Sequence, residues 1–281
     1  MKKIFALLMT LTLIVATGCG GGEPKTSNDN KPIQLGTIRY LNVTETLFDE
    51  YFEKAASRMN QTSSLRAPKH VFFDNMTAML AALQAGQIDE LTTYACVGNY
   101  LATQNKDCEV TTEGVPKISD SFCCAMLDDN ADLKKEFDDA ILKLTADGTL
   151  KKLEKTYITD ANFKDLPAVD MPKFDGADTI KVAVTGDLPL FDFVRADGKA
   201  AGFNTAVLSA ISQQIGKNFE LVNIDSGARA AALTSGEVDV VFWVAVPNDE
   251  TIFPVDFDTP KGMIVTAPYF TDEIVHVKLR K

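Results

Sequence analysis

The chain has 281 residues, of which 46% are hydrophobic and 24% are charged. These values are typical of folded globular proteins, and they exclude collagen, wholesale disorder and a polytopic membrane protein. At about 100 to 200 residues per domain the length predicts two domains, and the formal charge of −11 argues against a nucleic-acid partner.

The first residues have the pattern of an export signal. Lys2 and Lys3 precede an uncharged run at 4–15, and small residues then lead to Cys19. Such a run is too short to be a good membrane-spanning helix. The sequence Ala-Thr-Gly-Cys resembles the bacterial lipobox, which implies a signal peptide over residues 1–19 and lipidation of Cys19. A plain secretory signal with an unrelated cysteine is the alternative.

Residues 20–32 contain Gly, Ser, Asn and Pro and predict a flexible tether. The folded part is therefore expected outside the cytoplasm, at the cell surface or in the periplasm, and the lipid is its only membrane anchor.

A strand and a helix are predicted next. Residues 33–40 form a largely apolar run, and Asn42 follows with Glu45 three positions later, which is the pattern of a capping box. An apolar stripe that starts at Leu47 continues at helical spacing. The sequence therefore predicts a strand that leads directly into an amphipathic helix.

One phrase occurs twice in the chain, 150 positions apart. The segment 81–89, Ala-Ala-Leu-Gln-Ala-Gly-Gln-Ile-Asp, recurs at 231–239 as Ala-Ala-Leu-Thr-Ser-Gly-Glu-Val-Asp. In each copy the glycine favours the left-handed conformation that ends a helix, and a strand starts after it. Apolar runs at 71–73 and 221–224 precede the copies. Two strand-helix-strand units indicate two similar α/β lobes, each with a parallel sheet.

Four cysteines follow Cys19, namely Cys96, Cys108, Cys123 and Cys124. Their spacing matches no zinc site, so no metal is predicted. An oxidising compartment permits one disulfide, for which Cys108 and Cys123 are the candidates. Buried free thiols are the alternative.

Two further amphipathic helices are predicted, each closed by a glycine. The first covers residues 133–144 and ends at Gly148, and the second covers 203–215 and ends at Gly216. Between them, residues 158–178 contain two prolines and no hydrophobic period, so this segment is predicted to be a connector.

With these motifs the chain resembles the type 2 periplasmic solute-binding proteins, in particular the polar amino-acid receptors of ABC importers. Residues 180–281 are similar to the beginning of that family, with Ile-Lys-Val-Ala-Val at 180–184 and Ala-Pro-Tyr-Phe at 267–270. Residues 33–157 are similar to its end, most clearly over 132–157. The resemblance implies an α/β fold of two lobes, the Venus flytrap architecture, with the two halves in exchanged order.

We interpret the exchanged order as a circular permutation, in which the connector joins the family's original termini. The small lobe then comprises residues 33–117 plus 273–281, and the large lobe comprises 118–272. The final strand at 274–279 is expected to pair near the strand at 33–40. Folds tolerate such cuts where the termini lie close together at the surface. A monomer is expected, and the alternative is that neighbouring chains complete each other's lobes.

The resemblance also implies a small molecule held between the lobes, where helix N-termini and free N–H groups favour an anion. Amino-acid receptors of the family add an Arg for the carboxylate, an Asp for the ammonium group and two stacking aromatic residues. The corresponding positions fall near Thr251, Tyr94, Leu188 and Ser226, where the usual residues are absent. The family's Gly-Thr-Thr carboxylate cradle falls at 41–43. An ordinary α-amino acid held by the usual contacts is therefore not expected.

Other side chains at the same places are candidate ligand contacts. Trp243 is the only tryptophan, and its indole can stack on a ligand and donate one hydrogen bond. The pair Phe242 and Trp243 alternatively packs between the lobes. Arg39 is placed to replace the missing carboxylate contact, or it is solvated at the end of its strand. The predicted ligand-binding residues are Arg39, Tyr40, Asn42, Thr44, Thr93, Tyr94, Asp187, Leu188, Phe242 and Trp243.

The sequence thus predicts an extracytoplasmic lipoprotein that captures an amino-acid-like or aromatic polar molecule and delivers it to an ABC permease, without a cofactor. A ligand-sensing or adaptor lipoprotein is the rival, because both functions use lobe closure as the signal. An enzyme is less favoured, although residues 38–42 resemble the opening of menaquinone-pathway dehydratases. The chain has only two histidines and no nucleophile, phosphate-loop or dinucleotide motif.

Overall fold

Strands and helices alternate along most of the chain in the computed structural model, and residues Pro32–Lys281 form one compact unit. The predicted signal peptide, lipidation site and most of the tether lie outside the described residues. No helix in the described part of the chain is long and apolar enough to cross a membrane. The structure describes residues 32–58, 68–112, 115, 117–250 and 253–280.

Two of the predicted amphipathic helices end where the glycines predict. Gly148 and Gly216 have φ values of +80° and +70°, so each closes a predicted amphipathic helix in the left-handed conformation. Residues 160–178 contain no helix and no named strand. The described α-helices are α1 (Glu45–Arg58), α2 (Met76–Gln84), α3 (Ala95–Gln104), α4 (Ala131–Ala146), α5 (Thr149–Glu154), α6 (Phe203–Ile215) and α7 (Arg229–Thr234).

The strands belong to two main sheets and to one separate sheet of three short strands. The described strands are β1 (Gln34–Ile38), β2 (Lys69–Phe73), β3 (Glu90–Tyr94), β4 (Cys108–Thr111), β5 (Ser119–Leu127), β6 (Thr179–Val184), β7 (Asp187–Leu188), β8 (Asp192–Val194), β9 (Ala200–Ala201), β10 (Asn218–Asn223), β11 (Val240–Pro247), β12 (Met263–Val265) and β13 (Phe270–Leu279).

The first main sheet, here the large sheet, has the order β10-β6-β11-β5-β13. Strands β10, β6 and β11 are parallel to one another, and β5 runs antiparallel to β11, β12 and β13. The second, here the small sheet, has the order β2-β1-β3-β13, with β4 paired to β13. Strands β7, β8 and β9 form a separate antiparallel sheet.

Strand β13 belongs to both main sheets. Its residues 270–273 pair with β5 of the large sheet, and its residues 274–279 pair with β3 and β4 of the small sheet. The link between β4 and β5 makes a second passage between the sheets. Residues 274–279, which are expected to pair near residues 33–40, lie in the same sheet as β1, with β3 between the two strands.

The two copies of the repeated phrase have the predicted strand-helix-strand structure. They are β2-α2-β3 and β10-α7-β11, and one further parallel strand lies between the two strands of each unit. Gly86 and Gly236 end the two helices with φ values of +67° and +73°, while Leu83 and Leu233 are both fully buried. The chain is therefore an α/β protein built from two similar sheet units, as predicted.

Phe122 on β5 connects the cores of the two units. Its ring is fully buried and packs edge to face against Tyr94, with the centroids 4.6 Å apart, and against Phe191 and Trp243 at 5.2 and 5.9 Å. Because Tyr94 ends β3 of the small sheet and Trp243 lies on β11 of the large one, Phe122 packs beneath the place where the two sheets meet.

The four described cysteines are free thiols. Cys108 lies on β4 of the small sheet and Cys123 on β5 of the large sheet, so the candidate disulfide between them is absent and the free-thiol alternative is the one observed. Burial raises the pKa of Cys123 to about 12, which makes its thiolate scarce at neutral pH.

Candidate ligand-binding site

A cavity lies where strands of the two main sheets end side by side. The carboxyl ends of β1 and β3 reach it from the small sheet, and β7 and β11 reach it from the large-sheet side. Its volume is about 50 Å³, room for only a few water molecules, so a larger ligand requires the walls to separate. The lining residues are Thr37, Ile38, Arg39, Tyr40, Met76, Thr92, Thr93, Tyr94, Leu188, Arg229, Trp243, Ala245, Asp258 and Ile274.

Six of the ten predicted ligand contacts line this cavity, namely Arg39, Tyr40, Thr93, Tyr94, Leu188 and Trp243. The other four, Asn42, Thr44, Asp187 and Phe242, do not. The predicted lipidation site Cys19 lies outside the described residues.

Trp243 is turned toward the cavity by an irregularity in β11. The register with β5 shifts between Phe242 and Val244, and Trp243 has a φ of +70°, a conformation that is costly for a bulky side chain. Such strain persists only where the surroundings hold it. Phe242 consequently points the other way and stacks on Tyr269 in the core, with ring centroids 4.8 Å apart.

Arg229, at the start of α7, is the cation that the sequence interpretation missed. Only 2% of it is exposed, and its guanidinium lies 5.5 Å from the centre of the Trp243 ring. Nη1 donates a hydrogen bond to the Trp243 carbonyl oxygen at 3.2 Å, whereas Nε has no acceptor among the described residues. Burial lowers the pKa of Arg229, and nearby Asp258 and Asp192 oppose that shift.

Trp243 contributes a second free donor. Its Nε1 is buried and has no acceptor in the part of the chain that the structure describes. Leaving a buried donor unsatisfied costs about 1–3 kcal/mol, so Arg229 and Trp243 place two costly, unused donors at one wall of the cavity.

Asp258 is the buried carboxylate of the cavity. It accepts hydrogen bonds from the backbone N–H groups of Leu41 and Asn42, at 2.6 and 3.1 Å, and is 4% exposed. Burial raises its pKa to about 7, although the two N–H groups and Arg229 favour the charged form. Asp258 therefore exists in both protonation states near neutral pH.

A second buried carboxylate, Asp120, lies close to the cavity wall. It accepts a hydrogen bond from the Tyr94 hydroxyl at 2.9 Å, and burial raises its pKa to about 6. Burial is also the main cause of the raised pKa of Tyr40 and Tyr94, and Asp120 adds to both shifts. The hydroxyls of both tyrosines are thus protonated donors at neutral pH.

Arg39 lines the cavity, but its guanidinium is already paired. Nε donates to Asp74 Oδ1 at 2.9 Å, and the group lies 5.6 Å from the centre of the Phe72 ring. The side chain is 37% exposed. Of the two arginines at the cavity, Arg229 is therefore the one with an unused buried donor.

The residues outside the cavity have structural contacts instead. Asn42 is exposed, and the helix cap expected there is formed by Thr44, whose hydroxyl accepts the N–H of Leu47 at 3.3 Å. Asp187 accepts two hydrogen bonds from Thr77 of α2. The expectation of a cap at Asn42 is therefore wrong, because α1 begins at Glu45 and its N-terminal donors are out of reach of that side chain.

A smaller cavity adjoins the first. It has a volume of about 30 Å³ and shares Tyr40, Thr92, Ala245 and Ile274 with the main cavity. Both histidines of the chain line it; His70 Nδ1 pairs with Asp49 at 2.5 Å and His276 Nδ1 with Glu90 at 2.9 Å. No group of three or more His, Cys, Asp or Glu residues in the described part of the chain is arranged to hold a metal ion.

Comparison with protein families gives one match. Residues 180–271, a segment that includes α6, α7 and β11, match the model described as bacterial extracellular solute-binding proteins, family 3. A comparison with curated protein sequences found no significant relative.

Several solved structures are similar over most of the chain at low identity. The ligand-binding component of an ABC-type import system from Staphylococcus aureus, with zinc bound, is 9% identical with a TM-score of 0.45, covering 89% of this chain and 66% of that one. A nutrient-binding protein from Burkholderia cenocepacia bound to methionine is 12% identical with a TM-score of 0.40, covering 88% and 84%. The OxyR regulatory domain from Pseudomonas aeruginosa is 11% identical with a TM-score of 0.40, covering 91% and 90%.

Proposed function

We propose that the protein is an extracytoplasmic solute-binding lipoprotein that captures a small molecule between two lobes and delivers it to an ABC-type importer. The lobes are residues 33–117 with 273–281, and residues 118–272. The observation that carries the proposal is the cavity itself, because side chains from both sheet units line it. The match of residues 180–271 to a solute-binding family supports the same function.

Capture requires relative motion of the two lobes. A cavity of about 50 Å³ has room for only a few water molecules. Within the described residues, the chain passes between the main sheets along β13 and through the link between β4 and β5. Two narrow connections permit hinge motion, and ligand contacts with both walls then stabilise the closed form.

The proposed ligand contacts are the six predicted residues that line the cavity together with Arg229 and Asp258. Arg229 and Trp243 offer donors, Asp258 an acceptor, and Tyr94 and Trp243 flat aromatic surfaces. This combination suits a small polar molecule with an acidic group and a planar or apolar body.

A thermal-shift screen tests binding directly. The folded part of the protein is heated with amino acids, dipeptides, aromatic acids and nucleobases, because a ligand present at 100 times its Kd adds about 2.7 kcal/mol of stability. We expect a shift of several degrees for at least one acidic compound. Arg229→Met is expected to remove the shift, and Arg195→Met is the matched control because Arg195 does not line the cavity. The absence of a shift with every compound would contradict the proposal.

The lipid anchor and the importer need separate tests. We expect labelled palmitate to be incorporated into the full chain in bacterial cells and to be lost in Cys19→Ser but retained in Cys96→Ser. Loss of high-affinity uptake of the screened ligand in cells without the gene tests delivery. Normal uptake in such cells would instead favour a sensory role.

The permuted order of the halves is part of the proposal. The family match starts at residue 180, although another complete strand-helix-strand unit precedes it. A chain reopened within residues 160–178, with the present ends joined by a Gly/Ser linker, is expected to fold as a monomer and bind the same ligand. Folding only as a mixed dimer of half-chains would favour completion between chains.

A further inference from the structure

Two equivalent loops, one from each sheet unit, meet beside the cavity. One is residues 74–75, directly after β2, and the other is residues 225–227, shortly after β10. Positions 75 and 225 differ by 150, the offset of the repeated phrase, so the two loops follow corresponding strands. We call residues 74–75 and 225–227 together the latch.

Three hydrogen bonds join the two loops of the latch. The carbonyl oxygen of Asp74 accepts both the N–H and the hydroxyl of Ser226, at 2.9 and 2.7 Å. Asn75 Nδ2 donates to Asp225 Oδ1 at 3.3 Å. Ser226 is 1% exposed, so its two donors depend on a carbonyl group of the other unit.

Gly227 allows the loops to approach this closely. A Cβ atom there would lie 2.5 Å from Asp74 Oδ1 and 2.9 Å from Arg39 Cδ, well inside the separation at which non-bonded atoms attract. Arg39 Nε donates to the same Asp74 oxygen, so this ion pair occupies the space of a side chain. The φ of Gly227 is not positive. The contact with the other unit, and not the backbone conformation, therefore requires glycine.

The corresponding position of the first loop region does carry a side chain. Thr77 lies 150 positions before Gly227, and its hydroxyl donates to Asp187 of the other unit. The two members of the pair thus serve the same interface in different ways: Thr77 bonds across it, and Gly227 leaves room for its partner.

The latch adjoins both walls of the cavity. Arg39 and Arg229 line the cavity. Arg39 is paired with Asp74 of the latch, and Arg229 begins α7 two residues after Gly227. Separation of the two loops would therefore draw the two walls apart.

We propose that the latch holds the two sheet units closed on the cavity by protein contacts alone, so that the resting form is closed and a solute enters only when the latch opens. The inference goes beyond the proposed function, in which ligand contacts stabilise closure. The latch then limits the rate of entry, because association is slow where it requires a conformational change.

Acrylamide quenching of the single tryptophan tests the resting form without any ligand. Trp243 lines the cavity and is 8% exposed, so a closed latch shields it from the quencher. Gly227→Thr introduces the residue of the equivalent position against Asp74 and Arg39. We expect it to raise the Stern–Volmer constant by about threefold or more and to enlarge the radius of gyration, because the open form becomes populated.

Ala228→Thr is the matched control, since Ala228 is the exposed neighbour of Gly227. We expect it to retain the quenching constant and the radius of wild type. Gly227→Ala, a smaller change, covers the case in which Gly227→Thr does not fold, and an intermediate quenching constant is expected. If wild type is quenched as strongly as the Gly227 variants and has the same radius, the latch does not hold the protein closed and the proposal is wrong.

A double-mutant cycle locates the effect. Asp74→Ala removes the oxygen atom that a side chain at position 227 would meet. Gly227→Thr is therefore expected to change quenching much less in the Asp74→Ala background than in wild type, because residues in contact are not additive. Full additivity would place the effect within the turn at 226–228 and contradict a latch between the units.

The outcomes separate this inference from the proposed function. Shielding of Trp243 that Gly227→Thr removes, without a thermal shift by any screened compound, would support the latch and contradict the solute-binding function. A screened ligand that binds wild type as fast as it binds Gly227→Thr would support the function and overturn the latch as the limit on entry.

Discussion

The carboxylate of Asp187 accepts two hydrogen bonds from Thr77, one from its backbone N–H and one from its hydroxyl, each 2.9 Å long. Asp187 starts β7, and Thr77 lies in the first turn of α2, which packs on the small sheet. Asn75 is the cap of α2 and bonds to the N–H of Ala78. Two side chains, one from each unit, therefore accept hydrogen bonds from the free N–H groups in the first turn of this helix.

Removing this contact is predicted to favour the open form. Asp187→Ala loses two hydrogen bonds, each of which contributes about 0.5–1.5 kcal/mol. We expect a larger radius of gyration in solution scattering without ligand and a ligand affinity that is weaker by about 5- to 150-fold at most. Asp147→Ala is the matched control, since Asp147 bonds the N–H of Thr149 in a helix far along the chain. An unchanged radius for Asp187→Ala would show that other contacts determine closure.

The single tryptophan is predicted to report ligand binding. Trp243 lines the cavity, and no other indole contributes emission. We expect the emission wavelength or intensity to change saturably with ligand, because the ligand alters the polarity around the ring and its contact with Arg229. Trp243→Phe should remove the signal. A ligand that raises the Tm without changing the emission would place the binding site elsewhere.

Stability is predicted to fall as the pH rises from about 4 to 7. The pKa of Asp258 is about 7 in the folded protein and about 4 in an unfolded chain, so only the folded state retains its proton in this window. Loss of that proton then costs folding free energy, on the order of 2–4 kcal/mol over the window. Urea unfolding at several pH values should show this slope in wild type.

Asp258→Asn should flatten that slope, since the amide does not titrate. Asp120→Asn should remove a smaller part of it at lower pH, because the pKa of Asp120 is about 6. Equal slopes in wild type and both variants would show that neither carboxyl group is protonated in the folded protein.

The thiols are predicted to react only after unfolding. Burial raises the pKa of Cys96, Cys108, Cys123 and Cys124, and thiolate is the reactive form. In a Cys19→Ser chain, iodoacetamide at pH 7.5 should leave the native mass almost unchanged. In urea it should add four groups without a reducing agent. Two added groups in urea would indicate a disulfide.

The sequence predicted the features that depend on local chemistry. The glycines at 86 and 236 gave the helix ends, and the repeat gave the two units. The repeat even aligns residues that meet, since Asn75 and its equivalent Asp225, 150 positions later, are hydrogen bonded at 3.3 Å. The signals for the helix ends lie within a few residues of the structure that they determine.

The features that the sequence did not reveal depend on distant contacts. Arg229 stands in a run of small residues, where a single charged side chain indicates nothing about burial until β11 covers it. Asp258 acquires its role from N–H groups more than 200 positions away. The wrong cap at Asn42 has a local cause, because Thr44 is also a capping residue and directly precedes the start of α1 at Glu45.

The shared strand β13 has a consequence for how the protein is made. It follows every other described strand in the chain, yet it lies between β5 and β3, in the interior of the strand order. Neither sheet is complete before β13 has been synthesised, although the other strands of both sheets precede it. Because the two units share this strand, completion of one sheet during synthesis is coupled to completion of the other, unlike that of domains that fold one after the other.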